Sequence, residues 1–111
     1  MKLKIKNLIE IEERLLTVIE NEKFTTEFND YLLTERFLKR IGEITSLFFS
    51  YLNDYDVSLI EKGTLTRDER KNHLTEMRDK LLDSDVDLQV ENYIEEGIID
   101  SYFHLQGIGT A

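Results

Sequence analysis

The stretch TERFLKRIGEITSLFFSYLNDYDVSLIEKG, residues 34–63, decides the fold. Within it Phe37, Ile41, Ile44, Phe48, Tyr51 and Tyr55 follow one another at spacings of 4, 3, 4, 3 and 4. A repeat of about 3.5 residues keeps every member on one side of an α-helix and is the seam expected when one long helix packs along another. Leu38, Leu47, Phe49, Leu52, Leu59 and Ile60 widen that stripe, so the helix is expected to touch more than one neighbour. Thr34 stands where an N-cap would begin it. Gly63 stands where a residue in the left-handed conformation would end it, because glycine alone enters that region without a steric cost.

Downstream of Gly63, Thr66 is followed three residues later by Glu69, the spacing of a capping box. It opens a third long helix whose apolar face is Leu74, Met77 and Leu81, the other faces being charged. Upstream, Asn7 is placed to cap a first helix in which Leu8, Ile11, Leu15 and Val18 recur at spacings of three and four. That helix is expected to end near Glu20–Phe24, before a connection around Thr25 and Thr26, and a short helical segment TEFNDYLL follows it. The C-terminal run YIEEGIIDSYFHL reads as a further helix, with Ile94, Ile98, Ser101 or Tyr102, and Leu105 on its inner face and Gly97 costing about 1 kcal/mol in its middle.

Two segments alternate with period two: Lys2–Lys6, and Asp85–Val90. Two readings stay open. They form a two-stranded ribbon with Lys4 and Lys6 facing Asp85 and Asp87, opposite charges across a pair contributing roughly 0.2–1 kcal/mol. Alternatively, and by preference, the chain is fully helical, a helix from about Asp85 placing Val86, Val90 and Tyr93 on one side. Either way the expectation is mainly α: a bundle of three to four helices with one long central helix, as a single domain over residues 1–111.

Composition limits the chemistry. Hydrophobic residues are 41% and charged residues 33% of 111, too apolar for a disordered tail and without the ~20 continuous apolar residues that span a bilayer. The start, MKLKIKNLIEIEERLL, interrupts each apolar run with charge and lacks the core of a secretory signal, so a cytoplasmic location is expected. Cysteine is absent, which removes disulfides, thiolate nucleophiles and cysteine-ligated metals. Proline is absent too, in keeping with long helices and short connections. The net charge is −9, and residues 86–111 hold Asp87, Glu91, Glu95, Glu96 and Asp100 with no Lys or Arg, a surface that repels phosphate. Direct nucleic-acid binding is not expected.

The most metal-like run is DSDVDLQVENYI, which sets Asp83, Asp85 and Asp87 at the first three ligand positions of a calcium loop. It then fails, with Leu88 where the loop needs glycine and Ile94 where it needs a bidentate acid. His73 and His104 have no histidine partner at helical spacing, the adjacent acids Glu12/Glu13 and Glu95/Glu96 diverge around a helix, and Gly107 and Gly109 precede no helix. No enzyme, cofactor or metal site is expected.

The rings remain. Phe48, Tyr51, Leu52 and Tyr55 either all line the domain's own core, or the Phe half of the central helix is core while the half reading SYLNDYD meets another protein, since tyrosine joins a large contact area to a polar tip. Tyr51, Asp54, Tyr55 and Asp56, together with the acidic pair Glu95 and Glu96, are the candidate partner-binding residues.

The lysine-alternating start running into NLIEIEERLL, the helix closing with YDVSLIEKG and the later LLDSDVDLQV resemble small helical proteins encoded among structural and tail genes of Gram-positive bacteriophages and prophages. The resemblance implies an accessory or assembly role in phage biology, acting in the host cytoplasm through protein partners and self-association, and it carries no active-site residue. The competing reading is an acidic inhibitor, an anti-defence or immunity protein whose carboxylates fill a basic groove meant for nucleic acid.

Overall fold

The computed structural model describes residues 1–20 and 28–105. In chain order these form β1 (Lys2–Lys4), α1 (Ile5–Glu20), α2 (Phe28–Lys62), α3 (Arg67–Leu82), β2 (Asp85–Asp87) and α4 (Tyr93–Leu105). The architecture is a mainly α bundle built on one long helix, with a two-stranded antiparallel ribbon. The expected connection around Thr25 and Thr26 lies outside the described residues.

Helix α2 is 35 residues long. At 1.5 Å per residue it runs about 52 Å, nearly the full 56 Å length of the molecule. Thr34 does not cap it. The helix begins before Asp30, and the Thr34 hydroxyl turns back to donate to the Asp30 carbonyl at 2.8 Å, fully buried. A β-hydroxyl satisfied by the preceding turn competes for no N-cap, so the helix continues through it. The short segment and the central helix expected from the sequence are therefore one rod.

The core gathers on the N-terminal half of that rod. Phe37 and Ile41, fully buried, meet Leu8, Ile11 and Leu15 of α1, Ile99 and Tyr102 of α4, and Leu3 and Leu88 from the ribbon region. Burying each such side chain contributes about 1.5–3 kcal/mol. Helix α1 approaches α2 closely at Gly42, where an added Cβ would lie 3.1 Å from Glu12 Oε2. That carboxylate accepts a hydrogen bond from Thr45 Oγ1 at 3.0 Å, so its partly buried charge has a donor.

Helix α1 starts at Ile5, not after Asn7. Asn7 Oδ1 accepts from the Lys4 backbone N–H at 3.1 Å, which satisfies the entering chain from inside the first turn. The early start takes Lys6 out of the ribbon. The register pairs Lys2 with Asp87, Leu3 with Val86 and Lys4 with Asp85, so Lys4 faces an aspartate as expected while Lys2 takes the place expected of Lys6. The ribbon, the less favoured of the two readings, forms because Leu3 and Leu88, each 3% exposed, both enter the core. The Lys4 ammonium also donates to Asp83 Oδ1 at 2.7 Å, holding that carboxyl below the usual aspartate range.

Two termini behave as their residues dictate. Gly63 has φ 65. Thr66 and Glu69 form the reciprocal capping box, at 3.2 Å from Glu69 N to Thr66 Oγ1 and 3.4 Å from Thr66 N to Glu69 Oε1. Helix α3 then returns along the C-terminal half of α2, but none of its residues is buried. Arg70, Leu74, Met77 and Leu81 form one narrow half-buried stripe.

Candidate interaction surface

Beyond about residue 46, α2 leaves the core and, among the described residues, is accompanied chiefly by α3, making a two-helix arm. The radius of gyration is 17.2 Å, against about 13 Å for a compact chain of this length. An arm one helix pair thick cannot shelter a broad apolar stripe, and this one does not.

Three adjacent lines run along it, each spaced 4, 3 and 4. The middle line is Phe48, Leu52, Tyr55 and Leu59; it lies against the molecule, with Phe48 and Leu59 at 6% and 3% exposure and the other two half-buried. On one flank stand Leu47, Tyr51, Asp54 and Ser58, with Leu47 72% and Tyr51 54% exposed. On the other stand Phe49, Asn53, Asp56 and Ile60, with Phe49 53% and Ile60 52% exposed. Phe48 and Phe49 touch edge to face at 5.0 Å, one ring inside and one outside. Large apolar side chains clustered at a surface mark an interaction site more often than an accident of folding.

Of the sequence candidates, Tyr51 and Asp54 share one exposed flank, Tyr55 lies half-buried in the middle line, and Asp56 sits on the opposite flank. Asp56 faces α3, with Arg70 Nε 3.6 Å from Oδ1. Oδ1 itself is shielded and accepts no hydrogen bond. The four residues are therefore brought to one arm but not to one face. Phe49 and Ile60, which complete the second flank, carry the same 3.5-residue signal, but spacing alone does not show that both flanks lie bare.

Glu95 belongs to no surface. It is 1% exposed, and its Oε1 accepts from Arg40 Nη1 at 2.7 Å while Asn92 Nδ2 donates to Oε2 at 3.0 Å. Arg40 also donates to the Gln89 carbonyl at 2.5 Å, so one guanidinium of α2 holds the segment entering α4. The desolvation of that pair removes Glu95 from the partner-binding set, a correction to the sequence expectation. Glu96, its neighbour, is exposed.

An apolar groove of about 440 Å³ lies between α1, α2 and α4, lined chiefly by Ile11, Leu15, Val18, Ile94, Ile98 and Tyr102. The Tyr102 hydroxyl donates to Glu10 Oε2 at 2.5 Å and accepts from Asn7 Nδ2 at 3.3 Å, and the Arg14 guanidinium lies 5.0 Å from its ring centre. Burial, reinforced by the Glu10 carboxylate, raises the Tyr102 pKa above the ordinary tyrosine value.

Asp83 closes α3, paired with Lys4 and with Lys6 at 2.7 and 3.5 Å, whereas Asp85 and Asp87 point outward from the ribbon. No group of three or more potential metal ligands occurs among the described residues. His73 and His104 are both exposed. No helix among the described residues is long and apolar enough to cross a membrane. With the geometry in place, the chain matches no family model, no curated protein and no solved structure.

Proposed function

We propose that this chain is a non-catalytic protein–protein interaction protein that works through its α2–α3 arm, self-associating and docking protein partners. The observation that carries this reading is the arm itself, a hairpin set off from the core with Leu47, Phe49, Tyr51, Val57 and Ile60 each about half exposed or more. Holding such side chains in water costs free energy that a partner recovers. The resemblance to small helical proteins encoded among phage structural and tail genes is the ground for proposing an assembly or accessory role for it. The charge of −9 supports protein rather than nucleic acid as the partner.

The second reading, an acidic inhibitor of a nucleic-acid-binding protein, is favoured by the acid-only segment from residue 86 onward. Salt separates the two. Apolar association through the arm persists from low to molar salt, whereas carboxylates filling a basic groove lose affinity steeply. Light scattering across a salt series, with a basic nucleic-acid-binding domain as the added probe, is the experiment. A chain that stays monomeric throughout yet binds that domain at low salt only would overturn the arm reading in favour of inhibition.

A further inference from the structure

We propose that the flank Phe49–Asn53–Asp56–Ile60 is the self-contact of the arm, taken by the same flank of a second copy running antiparallel about a two-fold axis. The proposal rests on the arm being a binding surface and goes further by naming the occupant, the face and the register.

The order of residues makes that flank self-complementary. Turned end for end, Phe49 meets Ile60 of the second copy and Asn53 meets Asp56 of the second copy, and the reverse pairs follow by symmetry. Ring packs on aliphatic chain at both ends, and at each inner position the Asn53 amide meets the part of the Asp56 carboxylate that Arg70 and α3 leave open. A two-fold contact demands this of one surface, since the same patch must serve as both halves. The other flank fails the same operation, because reversing Leu47–Tyr51–Asp54–Ser58 sets Leu47 against Ser58.

Charge favours this occupant as well. Residues 46–82 carry six Lys/Arg and seven Asp/Glu, a net −1, which leaves −8 of the total −9 on the other 74 residues. Two copies of so acidic a molecule repel each other everywhere except along the arm. The Asp56 carboxylate, 31% exposed, already has the Arg70 guanidinium of its own chain beside it, so closing the contact brings two compensated charges together.

Size sets the strength. The flank is about 18 Å long, and even at the two-helix width of the arm, roughly 20 Å, it offers no more than roughly 360 Å² per copy, below the ~800 Å² per partner of a stable complex. The dimer is therefore weak and concentration-dependent. It leaves the Leu47–Tyr51 flank open to a foreign partner.

The cysteine-free sequence permits a direct test. Asn53→Cys and Asp56→Cys variants, mixed and joined with a short thiol–thiol cross-linker, are expected to give mostly the mixed dimer, and Leu47→Cys alone none. Phe49→Glu/Ile60→Glu is expected to remain near 13.2 kDa in light scattering at concentrations where the parent chain approaches twice that mass, with unchanged far-UV helicity. Tyr51→Ala is expected to dimerise as the parent does. Predominant self-linking of Asn53→Cys, linking through Leu47→Cys, or a Phe49→Glu/Ile60→Glu variant that still dimerises would overturn this register while leaving the arm a binding surface. A parent chain monomeric at every concentration would overturn self-association altogether.

Discussion

Arg40 ties the central helix to the segment entering α4. Its guanidinium reaches the Gln89 carbonyl and the buried carboxylate of Glu95 at once. Breaking a buried pair by deleting one partner leaves the other charge stranded. Arg40→Ala is therefore expected to destabilise the fold by about 3 kcal/mol, and adding Glu95→Gln to recover part of that loss, as read from urea midpoints in a double-mutant cycle. Tyr102 makes a prediction at the other end of the pH scale. Its proton is held more tightly in the folded chain than in the unfolded one, chiefly because burial disfavours the phenolate and then because the Glu10 carboxylate accepts from the hydroxyl. The stabilisation it gives is complete below the ordinary value of 10.0 and is lost as the pH rises through the raised one. Thermal melts above pH 10 should thus fall more steeply for the parent chain than for Tyr102→Phe, which itself costs about 1 kcal/mol at neutral pH for its lost hydrogen bonds.

At the scale of single elements, α3 and α4 offer opposite lessons. Helix α3 has no buried residue and depends on its capping box and one narrow stripe, so Thr66→Ala is expected to cost about 1 kcal/mol, measured by urea denaturation. Helix α4 carries Gly97, around which a Cβ would meet nothing within 4 Å. Gly97→Ala should accordingly stabilise the protein by about 1 kcal/mol, the ordinary helix-propensity difference, with no clash to offset it. A loss of stability in that variant would show that the groove beside Gly97 is tighter than its open lining implies.

For the molecule as a whole, the division between a packed half and an arm should appear as a gradient of local stability. The N-terminal half of α2 lies among fully buried residues from three other segments, whereas the arm holds two helices with few buried contacts. Amide hydrogen exchange is expected to be at least about ten-fold faster in α3 than in α1 at low concentration. Protection of the arm alone should then grow with concentration, because association covers its flank and leaves the core unchanged.

What could be read from residues alone was local. The 4–3 spacing from Phe37 to Tyr55, Gly63 and the Thr66/Glu69 box each encode their outcome within one or two helical turns, and the long helix, its stop and the next start follow. Residues alone do not decide where several local solutions have similar energy. Thr34 can cap a helix or donate back within one, and Lys2–Lys6 can alternate as a strand or give up its last two residues to a helix. Packing chooses between them, by drawing Leu3 and Leu88 into one core and by extending α2 through Thr34. The fate of Glu95 needed the tertiary structure most, since a carboxylate in an acidic run reads as surface until a guanidinium 55 residues away is brought against it. The exposure of both flanks of the arm belongs to the same class, because periodicity fixes a stripe on a helix, whereas its exposure depends on how far the neighbouring helices extend.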